Sequence, residues 1–218
     1  MEKTLRPVSG FLTLLASLLL FGASAYLFTQ VEKEGSKWYI VMAIITLVAG
    51  TFLSMGLIII SPNYSRVLTF FGKYVGTAKE NGLLFVNPLY KKQKMSLRSE
   101  NLESAKLKVN DKMGNPIEIA AVIVWQVKDT FQAAFDVADY VHYVKVQSEA
   151  AIRHLATSCP YDHMEDEHAT ITLRDGGDQV NVMLEKELSD RLAPAGILIK
   201  EARISHLAYA PEIAGAML

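Results

Sequence analysis

The densest group of side chains with reactive chemistry is Cys159-Pro160-Tyr161-Asp162-His163-Met164-Glu165-Asp166-Glu167-His168. A thiol, two imidazoles and several carboxylates are the ligand types of a zinc or transition-metal site. The spacing does not support one. His163 and His168 are five residues apart, whereas two ligands on one helical face sit at i and i+4, and no zinc template is met. The segment reads as a solvated acidic loop that leads into the next helix. His142 and His154 fall in the helical stretch before it and read as helix-surface histidines. A hydrolase needs a nucleophile poised beside its base. No Gly-x-Ser-x-Gly elbow occurs, and no spacing among the Ser and Lys residues selects a pair. Cys159 is the single cysteine, so an internal disulfide and an all-cysteine metal site are excluded, and no cation adjoins it to activate the thiol. Arg174-Asp175-Gly176-Gly177-Asp178 is Gly-rich but lacks the Gly-Lys-Ser/Thr ending of a phosphate loop. It reads as a turn into a helix, with Asp178 as N-cap. No catalytic, cofactor or metal residue is assigned. The expectation is a non-enzyme, with a membrane-bound hydrolase or its direct subunit as the alternative.

The elements that would position any site fall into two solvents. The chain has 218 residues, half of them hydrophobic, and a mean hydropathy of +0.19. Residues 1–60 hold only four basic and three acidic residues. Val8 to Phe28 is 21 residues without a charge, and Trp38 to Ile60 is 23. About 20 apolar residues span a hydrocarbon core, so the spans 8–28 and 38–60 form a two-helix anchor. Glu32 to Lys37 is the short polar loop between them, and Trp38 and Tyr39 read as interfacial anchors. Lys3 and Arg6 followed by an apolar run and Ala23-Ser24-Ala25 also fit a signal peptide with its cleavage site. Tyr26-Leu27-Phe28 carries the apolar run past that cut and favours an uncleaved span. Both readings leave the large domain cytoplasmic under the positive-inside bias. Gly50 and Ser54, four apart, read as ordinary usage in a membrane helix.

From Ser61 the period changes. Arg66 to Phe71 and Gly82 to Val86 are short β-rich runs, ended by Gly72 and by Asn87-Pro88. Lys106 to Val109 alternates as a half-buried strand, Gly114-Asn115 is hairpin chemistry, and Ile117 to Val127 is a long strand. Val141, Val144, Ser148, Ala151, Ile152 and Leu155 share one face of a helix over 140–156. Val180, Leu184, Leu188 and Leu192 repeat every fourth residue in a helix over 178–192, closed by Pro194 and Gly196. Ile197 to Ile204 opens another strand, and Pro211 starts a helix. Residues 61–112 hold ten basic and four acidic residues, whereas 113–218 hold eight and sixteen. The basic block directly follows the anchor. Each Lys or Arg near an anionic leaflet is worth about 1 kcal/mol, so Arg66, Lys73, Lys91, Lys92 and Lys94 are expected to touch lipid. Nucleic-acid binding is disfavoured by the tethering and a pI of about 6.5.

An ordered set of stretches resembles the SPFH, or band 7, family of stomatin, prohibitin, flotillin and HflK-C, and its prokaryotic stomatin-like members in particular. The stretches are Arg66-Val67 with Phe71-Gly72-Lys73-Tyr74 and Gly76-Thr77; Gly82-Leu83 with Phe85 and Pro88; Asp111 to Pro116; Val127-Lys128-Asp129; Ala150 to Arg153; and Tyr209 to Leu218. The resemblance implies an α+β soluble domain behind the two-helix anchor. Its divisions would be an anchor at 1–60, a membrane-proximal β-rich lobe at 61–112, a distal α/β lobe at 113–210 and the start of a C-terminal helix at 211–218. It implies a scaffold that assembles with itself into rings or cages, organises membrane microdomains and regulates a partner such as a membrane protease. It carries no catalytic constellation and no cofactor. Two spans replace the single span or hairpin insertion of many relatives, and the coiled coil that follows Pro211-Glu212-Ile213-Ala214 in such proteins is absent.

Overall fold

The computed structural model describes residues 2–162 and 171–213. The readings of His163, His168 and the rest of the acidic loop, and of the tail beyond Ile213, lie outside the described residues. Two compact units are formed, one from Glu2 to Ser96 and one from Leu97 onward.

In the first unit, strands β1 (Thr4–Leu5) and β2 (Val8–Ser9) precede helices α1 (Phe11–Glu34) and α2 (Lys37–Met55). Strands β3 (Leu57–Ile60), β4 (Tyr64–Phe70), β5 (Lys73–Ala78), β6 (Gly82–Phe85) and β7 (Lys91–Ser96) follow. Both helices are long and apolar enough to cross a membrane. Their ends differ from the expected spans. Val8 and Ser9 are strand, not helix, and the second helix stops at Met55 because Gly56 and the β-branched run Ile58-Ile59-Ile60 enter a sheet. A Cβ on Gly56 would lie 2.2 Å from the Phe85 ring and 2.6 Å from the Val86 carbonyl oxygen, so only glycine fits that exit. The helix pair touches through small residues. The Ser24 hydroxyl donates to the Ala43 carbonyl at 2.9 Å, and Gly50 sits where a Cβ would meet Phe21 at 3.1 Å. Gly50 is therefore a packing residue, unlike the expectation, whereas the Ser54 hydroxyl bonds back within its own helix to Thr51.

Two sheets complete this unit, ordered β1-β5-β4-β7 and β2-β6-β3. Ile58, Ile60 and Leu84 of the second sheet pack with Leu68 and Ala78 of the first. The two-helix segment is thus not a separate anchor over 1–60, since residues on both sides of it are strands of the β lobe.

The second unit holds β8 (Glu100–Glu103), β9 (Leu107–Asn110), β10 (Pro116–Val127), α3 (Thr130–Phe135), α4 (Tyr140–Ser158), α5 (Gly177–Leu192), a 3₁₀ turn at Ala193–Ala195, and β11 (Ile197–Tyr209). β8 and β9 both pair with β10. The division consequently falls after Ser96 and not after Lys112, because the Gly114-Asn115 hairpin ties 107–110 to 116–119. The α5 face of Val180, Leu184, Leu188 and Leu192 is fully buried, as its four-residue repeat requires. In α4 the expected face is buried except Val141, which stays exposed in the first turn. Asp178 lies inside the first turn of α5, and Gly176 takes the cap position. The helix also protects the sheet edge: Asn181 and Glu185, one turn apart, accept the Ile204 and Ala202 backbone N–H groups, both at 3.2 Å.

Asp111 organises one end of this unit. It is 4% exposed, and its carboxylate accepts the N–H groups of Met113, Asn115 and Tyr161 at 2.9, 2.8 and 3.1 Å. One side chain thereby shapes the Gly114 turn and fastens the chain leaving α4. Asp111→Ala leaves one buried and two partly buried N–H donors without their acceptor and is expected to cost about 3 kcal/mol. Asp111→Asn, which keeps one acceptor oxygen, recovers part of this. Urea unfolding in detergent checks it, and a loss below about 1 kcal/mol for Asp111→Ala contradicts this role.

Candidate membrane interface

The seven residues expected at lipid fall into two groups. Trp38 and Tyr39 open α2, with Trp38 76% exposed. The five cations lie beyond its other end, about 26 Å away along the helix axis at 1.5 Å per residue. That separation matches the two faces of a bilayer of about 30 Å.

The cations come from the β4–β7 ladder and the hairpin that follows β4. Arg66 is the register partner of Lys94, Leu68 of Lys92, and Thr69 of Lys91; Phe70 pairs with Lys73 across the β4–β5 turn. Side chains alternate along a strand, so Arg66, Lys92 and Lys94 share one sheet face with Leu68. Like charges directly opposite one another repel. Lys94 relieves part of this by lying over the Tyr64 ring, 4.2 Å from its centroid. Lys92 donates to the carbonyl of Met55 and so caps the C-terminal end of α2. Burial, and secondarily the neighbouring Arg66 charge, hold the Lys92 ammonium below its usual range. Lys73 and Lys91 point into solvent. Among the described residues, no carboxylate lies within ion-pair distance of these five cations. From residue 61 to 96 there are six basic residues and one acidic residue, Glu80.

Two apolar residues not expected at lipid from the sequence complete the group. Phe71 forms the β4–β5 turn with Gly72, is 87% exposed, and adopts φ of +44°. Leu89 is 54% exposed in the β6–β7 loop. Contacts run from Phe71 through Phe70 to Tyr90, which packs on the core cluster that includes Val86. The Phe71 and Phe70 rings are 4.7 Å apart, Phe70 and Tyr90 are 5.7 Å apart, and the Val86 N–H donates to the Gly56 carbonyl at 2.9 Å. A two-residue hairpin turn with positive φ at both positions prefers Asn-Gly, so an aromatic residue there is strained. The signal was present as Phe71-Gly72 between two β-rich runs, but exposure of an aromatic is not legible from residue type.

Among the described residues, no three His, Cys, Asp or Glu side chains converge as a metal site. Cys159 is buried, and burial pushes its thiol up, opposite to the shift of a reactive cysteine. His142 and His154 are exposed on α4, the latter 3.3 Å from Glu187.

The strain at Phe71 gives a direct test. Phe71→Asn places the preferred residue in the turn and is expected to stabilise the chain in detergent by about 1 kcal/mol. An unchanged or lowered thermal midpoint would contradict the strain at this tip.

The family model for the SPFH domain / Band 7 family matches residues 58–218. A stomatin homolog of Pyrococcus horikoshii is 25% identical over 168 residues, covering 76% of this chain and 59% of that relative. A stomatin homolog of Pyrococcus abyssi matches with the same identity and coverage. The chain thus spans about three fifths of the length of these curated relatives. With a matched region that takes in β3 through β11 and most of the sequence, the chain belongs to the SPFH/Band 7 family and is stomatin-like.

Proposed function

We propose that this chain is a non-catalytic integral membrane scaffold. Its β lobe rests on an anionic lipid surface, and copies associate side by side into a ring or cage. The observation that carries the lipid part is the set of five cations without ion-pair partners among the described residues on the β4–β7 ladder and the β4–β5 hairpin, whose tip is the strained, exposed Phe71. Arg66, Lys73 and Lys91 have neither a local carboxylate nor the internal engagement of Lys92 and Lys94, and lipid phosphate supplies an external anion. A charged rim around apolar tips is the composition of an interfacial contact. Self-assembly is supported by family membership, and Pro211 to Ile213 begins a helical turn that a longer helix would extend. In this reading the assembled wall organises lipid and encloses or regulates a partner such as a membrane protease. The lobe lies on the cytoplasmic side because Lys3, Arg6 and the cations after α2 flank the helices there.

Particle mass in detergent and in nanodiscs tests the assembly. The 218-residue chain is expected to associate weakly or heterogeneously, and a version extended past Leu218 by an added amphipathic helix is expected to form one discrete high-order species. An extended chain that stays monomeric in every mimetic removes the scaffold reading.

A further inference from the structure

The family match begins at Ile58, so nothing in it accounts for residues 2–10. These residues are engaged in both sheets of the first unit. β1 runs parallel to β5, with Thr4 opposite Thr77 and Leu5 opposite Ala78, and the Thr77 N–H donates to the Lys3 carbonyl at 2.7 Å. β2 pairs antiparallel with β6, with Val8 opposite Phe85 and Ser9 opposite Leu84, and the Gly10 N–H donates to the Leu83 carbonyl at 2.9 Å. Side chains reinforce both. Lys79 binds Glu2 at 2.9 Å, the Tyr74 hydroxyl accepts the Lys3 N–H at 3.2 Å, and Leu5 packs on the core cluster. Gly76 lies under this segment, where a Cβ would come within 2.6 Å of Leu5. β2 is separated from α1 by Gly10 alone, β3 from α2 by Gly56 alone, and both strands flank β6. The two helices therefore leave one sheet without a linker.

We infer that residues 2–10 are a strap that locks the helix pair to the β lobe, so that the first span is retained uncut and the N-terminus stays on the lobe's side of the bilayer. Cleavage after Ala23-Ser24-Ala25 would remove both strands, the Ser24–Ala43 bond and the cover over Gly76. The pairing also makes the helices a rigid extension of the lobe rather than a tether.

The test pairs Val8→Cys with Phe85→Cys in the full chain and adds a protease site between Gly35 and Ser36. Cys159, 5% exposed, stays in place. Register partners on an antiparallel pair lie within disulfide reach. After oxidation and cleavage, the two fragments should remain joined until reductant is added, and Val8→Cys alone should not join them. Fragments that separate without reductant, or that join only between two chains, overturn the strap. Two measurements on the unsubstituted chain guard against misfolding of the variant. Hydrogen exchange at Thr77 should be at least about a hundredfold slower than in an unstructured peptide, and the mass of protein extracted from membranes should include residues 2–25. An unprotected Thr77 amide, or a chain beginning after Ala25, overturns the inference.

Discussion

Strand β6 is four residues long, yet the arrangement of the first unit depends on its two pairings. One edge holds β2, which leads into α1, and the other holds β3, which leaves α2. The Val86 N–H, just past its end, reaches the Gly56 carbonyl at the α2 exit. A backbone group at that boundary has little water to fall back on, so its pairing within the chain is strongly favoured. Gly56 permits the approach because any side chain there would collide with Phe85 and Val86. Sheet geometry thus sets where the helices stop and which lobe residues sit beside their ends.

This placement brings one lobe cation directly to the end of α2. Lys92 is partly desolvated and donates to the Met55 carbonyl at the end of α2. Lys91 and Lys73 flank the Phe71 tip at one end of the β4–β7 ladder, whereas Arg66 and Lys94 pair further along it, toward Tyr64. An isolated soluble hairpin would gain stability from Asn at the tip, whereas this chain has Phe there. Strained residues are kept where the surrounding structure holds them and their position serves an interaction. The second unit is stabilised differently, by amphipathic helices on a long two-stranded core and by buried carboxylate turns such as Asp111.

Much of this fold was legible. Val180, Leu184, Leu188 and Leu192 repeat with the helical period and are all buried, because one face of α5 meets one sheet. Gly114-Asn115 marked its hairpin through turn chemistry alone. The span ends were misplaced for a physical reason: Ile58-Ile59-Ile60 is as apolar in a sheet core as in lipid, and composition does not tell the two solvents apart. β1 and β2 have two residues each, too few to carry a period, and their partners lie some seventy residues away in sequence. The basic residues of the candidate interface were visible as charge. What each does was not, since Lys92 as a helix cap and Lys94 over Tyr64 follow from strand register. Phe71 belongs to a stretch that carries the family resemblance, but its exposure and positive φ belong to the three-dimensional turn.

The account stands or falls on whether the tip of the lobe sits in lipid. The direct measurement is fluorescence of a Phe71→Trp chain in nanodiscs, with the unsubstituted chain, which carries Trp38 and Trp125, as the subtracted background. Quenching by lipids brominated on their acyl chains, together with blue-shifted emission, is the predicted result. Emission at the wavelength of water-exposed tryptophan, unaffected by brominated lipid, would contradict it.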